Sequence, residues 1–329
     1  MTAPRIFRSF EEAASGFAPC SLTIGNFDGV HIGHRELMQR TVIHAHQLGV
    51  KPSVLTFHPH PTTIVHPERA PRLLTTPEER CILMAAEGIE QVLILPFTRE
   101  LSQIEPEAFF RDVLCGLLGA KVITVGYNFR FGHGQSGEAH QLAGLAAEAG
   151  VAIDVVPLLR LRGVTVSSSE IRRLLAAGEV GKAARLLQRP YSLTGEVVPG
   201  AGRGARLTVP TLNLETHSLD DSLRALPKDG VYITRTTCLS TGRQWDSITN
   251  SGRRPTFEGR HLTIETFLLT PFDGERPASI RLEFLHRIRD ERRFESAEAL
   301  RAQILRDVAQ ATTFFRRARR LGIVAAAPF

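Results

Sequence analysis

The stretch Gly25-Asn26-Phe27-Asp28-Gly29-Val30-His31-Ile32-Gly33-His34 joins an apolar run, Ser21-Leu22-Thr23-Ile24, to a helical pattern over residues 35–48 that Gly49 stops. A strand that feeds a helix through a glycine-rich loop lets the backbone approach a ligand closely. The unpaired N–H groups and positive dipole end of the helix start then point at that ligand. His31 and His34 are three residues apart, so both rings can face one ligand. Together they can hold a phosphate and donate hydrogen bonds as charge builds on it. By itself this loop licenses nucleotide transfer in a strand–loop–helix fold.

Outward from the loop, apolar runs at 53–57, 91–95, 121–125 and 151–156 read as further strands. They alternate with helical patterns at 77–87, 106–118 and 138–149. Strict alternation of this kind predicts a parallel sheet covered on both faces, with ligands beyond the carboxyl ends of the strands. Residues 167–188 predict two short helices split by Gly178, with Ser167 and Glu170 as a capping box. Arg189-Pro190 breaks the pattern and sets the expected domain boundary, giving domains 1–188 and 189–329. Beyond it the period changes. Runs at 191–198, 207–214, 230–237, 244–249, 261–270 and 279–287 read as strands between Gly- and Pro-rich turns, and only 296–320 is helical. That order predicts a small antiparallel barrel with a terminal helix.

Two domains also suit a chain of 329 residues. The net charge of +6 is compatible with a polyphosphate ligand and does not demand nucleic acid. Cys20, Cys81, Cys115 and Cys238 form no CxxC pair, so neither a zinc site nor a disulfide framework is expected. Isolated cysteines point to a reducing compartment, the cytoplasm. The opening Met1-Thr2-Ala3-Pro4-Arg5 lacks an apolar signal region, and no apolar run approaches a membrane span of about 18 residues. No membrane partner is expected, and the sequence leaves the oligomeric state open.

HxGH after a first strand resembles the signature of the nucleotidyltransferase superfamily, which includes the class I aminoacyl-tRNA synthetases. The longer string from Gly25 to His34 resembles the FMN adenylyltransferase half of the bacterial bifunctional riboflavin kinase/FMN adenylyltransferases, the FAD synthetases. Three further stretches agree in order: Thr56-Phe57-His58-Pro59-His60-Pro61, Gly126-Tyr127-Asn128-Phe129-Arg130-Phe131-Gly132, and Ser167-Ser168-Ser169-Glu170-Ile171-Arg172. The resemblance implies that His31 and His34 bind ATP phosphates and that Asn128 contacts substrate. It also implies that Ser168 and Arg172 belong to a segment closing over the triphosphate. Gly25, Asn26, Phe27, Asp28, Gly33 and Pro59 complete the expected ATP/FMN-binding set. An Arg can fork onto phosphate oxygens, and serines at a helix start offer hydroxyls and N–H groups. Pro59 stiffens the backbone between His58 and His60, and no metal is expected on that pair.

The second half resembles the riboflavin kinase domain of the same family. Gly200, Arg203 and Gly204 lead to Pro210-Thr211-Leu212-Asn213, similar to the family's P-T-A-N stretch. Asn250-Ser251-Gly252-Arg253-Arg254 and Arg289-Asp290-Glu291-Arg292-Arg293-Phe294 follow in family order, then Gln303 and Asp307. Thr211 and Asn213 are implied ligands of Mg²⁺ and ATP phosphate, and Glu265 the base that activates the ribityl hydroxyl. Gly200, Arg203, Gly204, Pro210, Asn250 and Arg254 are implied ATP/flavin contacts. The fold implied is an N-terminal α/β Rossmann-like nucleotidyltransferase domain followed by an antiparallel β-barrel riboflavin kinase domain with a terminal helix. Riboflavin, FMN, FAD and ATP with Mg²⁺ are the implied ligands, and no tightly bound prosthetic group is required.

This sequence departs from the family at Thr208-Val209, where Gly-Phe is usual, and at Leu212, where Ala is usual. Two readings follow: a bifunctional enzyme, or an FMN adenylyltransferase whose barrel binds flavin without phosphorylating it. A third reading, RNA binding, is prompted by Arg316-Arg317-Ala318-Arg319-Arg320. No Lys-Met-Ser-Lys-Ser-like stretch or aromatic stacking array accompanies that cluster, and no nucleic-acid partner is expected.

Overall fold

A computed structural model describes residues 3–199, 211–216, 223–256, 259–270 and 275–322, with the side chains of 254–261 and 297 outside that description. The chain forms two compact units, Met1–Glu170 and Ile171–Phe329.

In the first unit the strands are Arg5–Phe7 (β1), Cys20–Ile24 (β2), Lys51–His58 (β3), Gln91–Pro96 (β4), Ala120–Gly126 (β5), Arg130–Phe131 (β6), Gly137–Glu138 (β7), Ala152–Val156 (β8), Arg160–Leu161 (β9) and Val164–Thr165 (β10). The helices are Phe10–Gly16 (α1), Ile32–Leu48 (α2), Pro61–Val65 (α3), Pro77–Ala86 (α4), Pro106–Ala108 (α5) and Ala139–Ala149 (α6). Six strands form one parallel sheet in the order β1-β4-β3-β2-β5-β8. The order reverses between β2 and β5, which pair directly. Such a switch point opens a crevice at the carboxyl ends of those strands. The loops leaving β2 and β5 are the histidine loop and the Gly126–Gly132 stretch.

Local chemistry sets the helix ends. Gly49 ends α2 at φ 64°, and Thr76 and Glu79 close a reciprocal capping box on α4, with Pro77 in its first turn. One face of the sheet buries Leu22, Leu55, Leu93 and Ile123 with Phe110 and Leu114; the other buries Val54, Val92 and Ile94 with Met38 and Met84. β1 and α1 precede the first expected strand. Their sequence signal is Ser9, whose side chain accepts from Glu12 N–H at the start of α1. Where one α-helix over 106–118 was expected, α5 continues as a π-helix, Phe109–Leu117. Its buried Phe109, Phe110, Val113 and Leu114 keep the three- and four-residue spacing of an ordinary helix face, so the apolar pattern that predicts a helix does not distinguish the π form.

The helix Ser168–Ala176 (α7) starts in the first unit and runs into the second, followed by Val180–Leu187 (α8). The compact units therefore divide before Arg189-Pro190. α8 packs on Tyr191–Val198 (β11) and Ser279–Arg289 (β16), and Leu175 O accepts from Lys228 N–H. With Thr211–Leu214 (β12), Gly230–Cys238 (β13), Gln244–Thr256 (β14) and Gly259–Leu268 (β15), these strands close a barrel in the order β11-β12-β15-β14-β13-β16. Of the expected strand at 207–214, residues 207–210 lie outside the described residues. The barrel interior holds Leu193, Leu212, Ile264, Leu268 and Phe284, with a chain of buried hydroxyls from Thr236 through Ser247, Thr234 and Thr249 to Thr266. Outside it, Ala297–Arg320 (α9) covers Val231, Ile233 and Ile248 with Ala311, Phe315 and Ala318. Among the described residues no helix is long and apolar enough to cross a membrane.

Candidate active sites

The histidine loop is folded back on itself by buried groups. Asn26 O accepts from Arg80 Nη1 at 2.7 Å and from Thr56 Oγ1 at 3.2 Å, and Asn26 Nδ2 lies 3.2 Å from His60 Nε2. Phe27 and Val30 are buried at φ 49° and 38°, in the left-handed region that costs a non-glycine residue energy. The Asp28 carboxylate is buried. It accepts from Leu74 N–H at 2.9 Å, from Thr75 N–H at 3.0 Å and from the Thr75 hydroxyl at 3.2 Å. Its main-chain oxygen accepts from Ser168 Oγ at 2.8 Å. Asp28 thus ties the loop to the 74–75 turn and to the start of α7.

His31 is the N-cap of α2. Its Nδ1 accepts from His34 N–H at 3.3 Å, and the two rings stack at 3.5 Å between centroids and 21° between planes. An Nδ1 that accepts leaves the proton of neutral His31 on Nε2, as a donor. His31 is buried and His34 half-buried, with Phe27 edge-on to the His34 ring at 5.2 Å. Pro59 follows His58 through a cis peptide bond, and His60 caps α3. Burial, then the charge of Arg80, hold His58 below the usual histidine range.

Gly126–Gly132 leaves β5 with Tyr127 and Asn128 exposed. Gly132 sits at φ 72°, and a Cβ there would lie 2.5 Å from Pro106 Cγ, so only glycine seats this loop against α5. Ser167 Oγ accepts from Glu170 N–H at 3.2 Å, the cap expected at the start of α7. Gly25, Asn26, Phe27, Asp28, Gly33, His31, His34, Pro59 and Asn128 thus stand at or next to the carboxyl ends of β2, β3 and β5. Ser168 is hydrogen-bonded onto Asp28. Arg172 lies on α7 past the division between the units.

In the barrel, register does what the loop does in the first unit. Asn213 pairs with Glu265 across β12 and β15, and Glu265 pairs with Asn250 across β15 and β14. Directly opposed residues on neighbouring strands share a face. Thr211 stands two residues from Asn213, opposite Phe267. All five are half-buried, whereas Leu212, Leu214, Ile264, Thr266 and Leu268 between them are buried. The row therefore faces out of the barrel. Leu212 points the other way, into the core opposite Thr266, so this departure from the family pattern lies on the face away from Thr211 and Asn213.

Two groups that sequence reading did not single out as site residues frame the row, and a third braces the barrel. Arg276 Nη2 donates to Thr211 O and Val198 O, both at 3.3 Å. Glu291 Oε1 accepts from Asn250 Nδ2 at 3.3 Å. Its carboxylate lies over Gly252, where a Cβ would meet Oε2 at 2.1 Å. Asp307, buried on α9, takes Arg289 Nε and Nη2 at 3.0 and 2.9 Å, and so ties α9 to β16. The string 289–294 carried a signal for Glu291, but its partner is some 40 residues away in sequence. Gly200, Arg203, Gly204, Thr208, Val209 and Pro210 lie outside the described residues, as does the Arg254 side chain; the Arg254 backbone pairs with His261 in β14 and β15.

Comparison with known proteins bears on both units. A family model described as FAD synthetase matches residues 14–170, and one described as riboflavin kinase matches residues 187–315. The chain is 33% identical to the bifunctional riboflavin kinase/FMN adenylyltransferase of Pseudomonas fluorescens, over 89% of this chain and 92% of that one. The protein of that name from Escherichia coli K12 is also 33% identical, over 90% and 93%. That from Bacillus subtilis is 29% identical, over 89% and 92%. Among solved structures, one described as a macrolide-efflux protein from Streptococcus pneumoniae superposes with a TM-score of 0.82 at 26% identity, covering 93% of this chain and 97% of that one.

Proposed function

The chain belongs to the bifunctional riboflavin kinase/FMN adenylyltransferase family, and from that premise we propose how its own residues carry the two steps of FAD synthesis. It phosphorylates riboflavin to FMN and adenylylates FMN to FAD. The observation that supports the two-activity reading is the outward row Asn213–Glu265–Asn250, which keeps its polar residues on one face while the unusual Leu212 turns into the core.

In the adenylyl transfer, the FMN phosphate attacks the α-phosphorus of ATP. One P–O bond forms, the α–β bridge breaks and pyrophosphate leaves, so no protein nucleophile is needed. His31 and His34 sit at the start of the 17-residue α2, where N–H groups and dipole favour anions. His31 Nε2–H donates to the phosphates as charge builds on them. Asn128 meets the flavin substrate at the lip of the crevice, and Ser168 and Arg172 secure the triphosphate. Asp28 serves the same site through its braces rather than as a facing charge. This function draws on residues 1–188.

In the kinase, residues 189–329, Glu265 takes the proton of the ribityl hydroxyl as its oxygen attacks the γ-phosphorus, and ADP leaves. Thr211 and Asn213 present a hydroxyl and an amide oxygen on one face, donors that suit Mg²⁺. That ion keeps several waters and is commonly held by one or two protein groups plus substrate phosphates. Among the described residues no group of three or more His, Cys, Asp or Glu could hold a metal by itself, so the fit is to an ion arriving with ATP. When bound, Mg²⁺ neutralises phosphate charge. A cytoplasmic location follows from these substrates.

The test is flavin chromatography after incubation with ATP and Mg²⁺, run separately with riboflavin and with FMN. Riboflavin gives FMN and then FAD, and FMN gives FAD. FAD from FMN without FMN from riboflavin would leave only the adenylyltransferase, and neither product would remove the reading altogether.

A further inference from the structure

We infer that Arg80 is a positioning residue for adenylyl transfer: its buried guanidinium locks the Asn26–Phe27 peptide and so turns the amide face of the histidine loop towards the phosphates. The inference rests on the adenylyltransferase reading above.

Arg80 lies on α4 and is 3% exposed, an unusual place for a permanent cation. Nη1 reaches Asn26 O at 2.7 Å and Thr56 Oγ1 at 3.4 Å, and that hydroxyl itself donates to Asn26 O at 3.2 Å. Two donors from two elements, α4 and β3, thus converge on one carbonyl. In a trans peptide the carbonyl and the following N–H point in opposite directions. Drawing Asn26 O inward therefore turns Phe27 N–H away from the core.

The loop needs such a hold. Phe27 and Val30 both occupy the left-handed region, and strained residues persist only where the surroundings over-determine them. Asp28 braces the adjoining peptides against Leu74 and Thr75, just before α4. Asn26, held by Arg80, and Asp28, held by Leu74 and Thr75, thus clamp the loop on either side of Phe27 to one segment, 74–80. The guanidinium also places positive charge behind the loop, and its field reaches the His58 ring, where it adds to burial in disfavouring the imidazolium. A substituted neutral side chain would remove both the hold and the charge.

The experiment uses the full chain and four variants: Arg80→Met, Arg80→Lys, Thr56→Val and the Arg80→Met/Thr56→Val pair. FMN-to-FAD turnover is measured with kcat and KM resolved, alongside riboflavin-to-FMN turnover and thermal unfolding. Arg80→Met lowers kcat for FAD formation by roughly 10- to 100-fold, while KM for FMN moves by less than about threefold. Arg80→Lys, which keeps a donor and the charge, recovers part of the rate. The double variant loses less than the product of the single losses, because both donors serve one carbonyl. Wild-type kcat in Arg80→Met overturns the inference. So does a Lys variant no better than Met, or a loss of FAD formation matched by equal losses of FMN formation and melting temperature. If Arg80→Met does not fold, the Lys and Thr56→Val variants decide by the same kcat and KM criteria. A wild-type chain that makes no FAD from FMN removes the adenylyltransferase reading itself, which is a different result.

Discussion

Asn213 stands directly opposite Glu265 where β12 pairs with β15, on the outer face of the barrel. The pairing puts a carboxylate beside an amide and, two residues along, beside the hydroxyl of Thr211. A general base contributes roughly 10²- to 10⁴-fold to a transfer of this kind. Glu265→Gln keeps the shape of the row and removes the base, so riboflavin phosphorylation falls by about that factor. FAD formation from added FMN stays within about twofold, because adenylyl transfer makes no use of the Glu265 carboxylate. Parallel assays on riboflavin and on FMN check both halves, and equal loss of the two rates would contradict the assignment.

His31 combines a helix cap with a donor, and substitution separates the two. Asn is a good N-cap, so His31→Asn retains a side-chain acceptor for His34 N–H at the start of α2. It lacks the imidazole Nε2–H. FAD formation drops by about 10²- to 10³-fold, the usual loss of a preorganised donor to developing charge. Thermal unfolding changes little in His31→Asn, whereas His31→Ala also loses about 1 kcal/mol of capping. Similar activity in His31→Asn and wild type would show that capping is the whole role.

The histidine loop was legible because its logic is local: strand, glycine, histidine pair and helix follow one another within about fifteen residues. The braces were not. Asp28 reads as a charge in a ligand loop, yet its partners Leu74 and Thr75 are 46 and 47 residues away, and only the fold shows which way the carboxylate turns. Arg80 reads as one more polar helix position until α4 carries it beneath Asn26, 54 residues off. In the barrel, Thr211, Asn213 and Glu265 were legible as motif residues, but their juxtaposition is a matter of register. β1 and α1 were missed although Ser9 and Glu12 carry a capping signal, because the strand before them is only three residues long.

The cysteines should separate by pH. Cys20 is buried, and burial pushes its thiol up to about 12. Cys238 is the last residue of β13 and is buried too, but it sits against the turn that follows. Burial opposes its thiolate, but the hydroxyls and N–H groups of Ser240 and Thr241 outweigh that and bring the thiol down to about 7. A lowered thiol stabilises the folded chain above the ordinary thiol range, and that contribution fades as pH falls through about 7. The thiolate is the reactive form. Iodoacetamide labelling of the native chain, followed by peptide mass spectrometry, therefore rises at Cys238 with a midpoint near pH 7, while Cys20 stays unlabelled to pH 9. Ser240→Ala moves the Cys238 midpoint upward. A midpoint unmoved by that substitution would assign the shift to something other than these hydroxyls.

Leu212 is the departure that raised the question of a silent kinase, and its place in the barrel turns the question into one of packing. The side chain is fully buried among interior residues, opposite Thr266, while Thr211 and Asn213 on either side face outward. Restoring the family's alanine by Leu212→Ala therefore adds nothing to the outer face and leaves a cavity inside. Leu-to-Ala changes in cores cost about 2–5 kcal/mol. The expected outcome is a lower melting temperature for the second unit, with riboflavin phosphorylation at low temperature no faster than in the unsubstituted chain. A Leu212→Ala chain that gains kinase rate without losing stability would mean that residue 212 acts on the outer face after all. Calorimetry and riboflavin turnover on the same sample distinguish the two, because a core defect moves the first and spares the second.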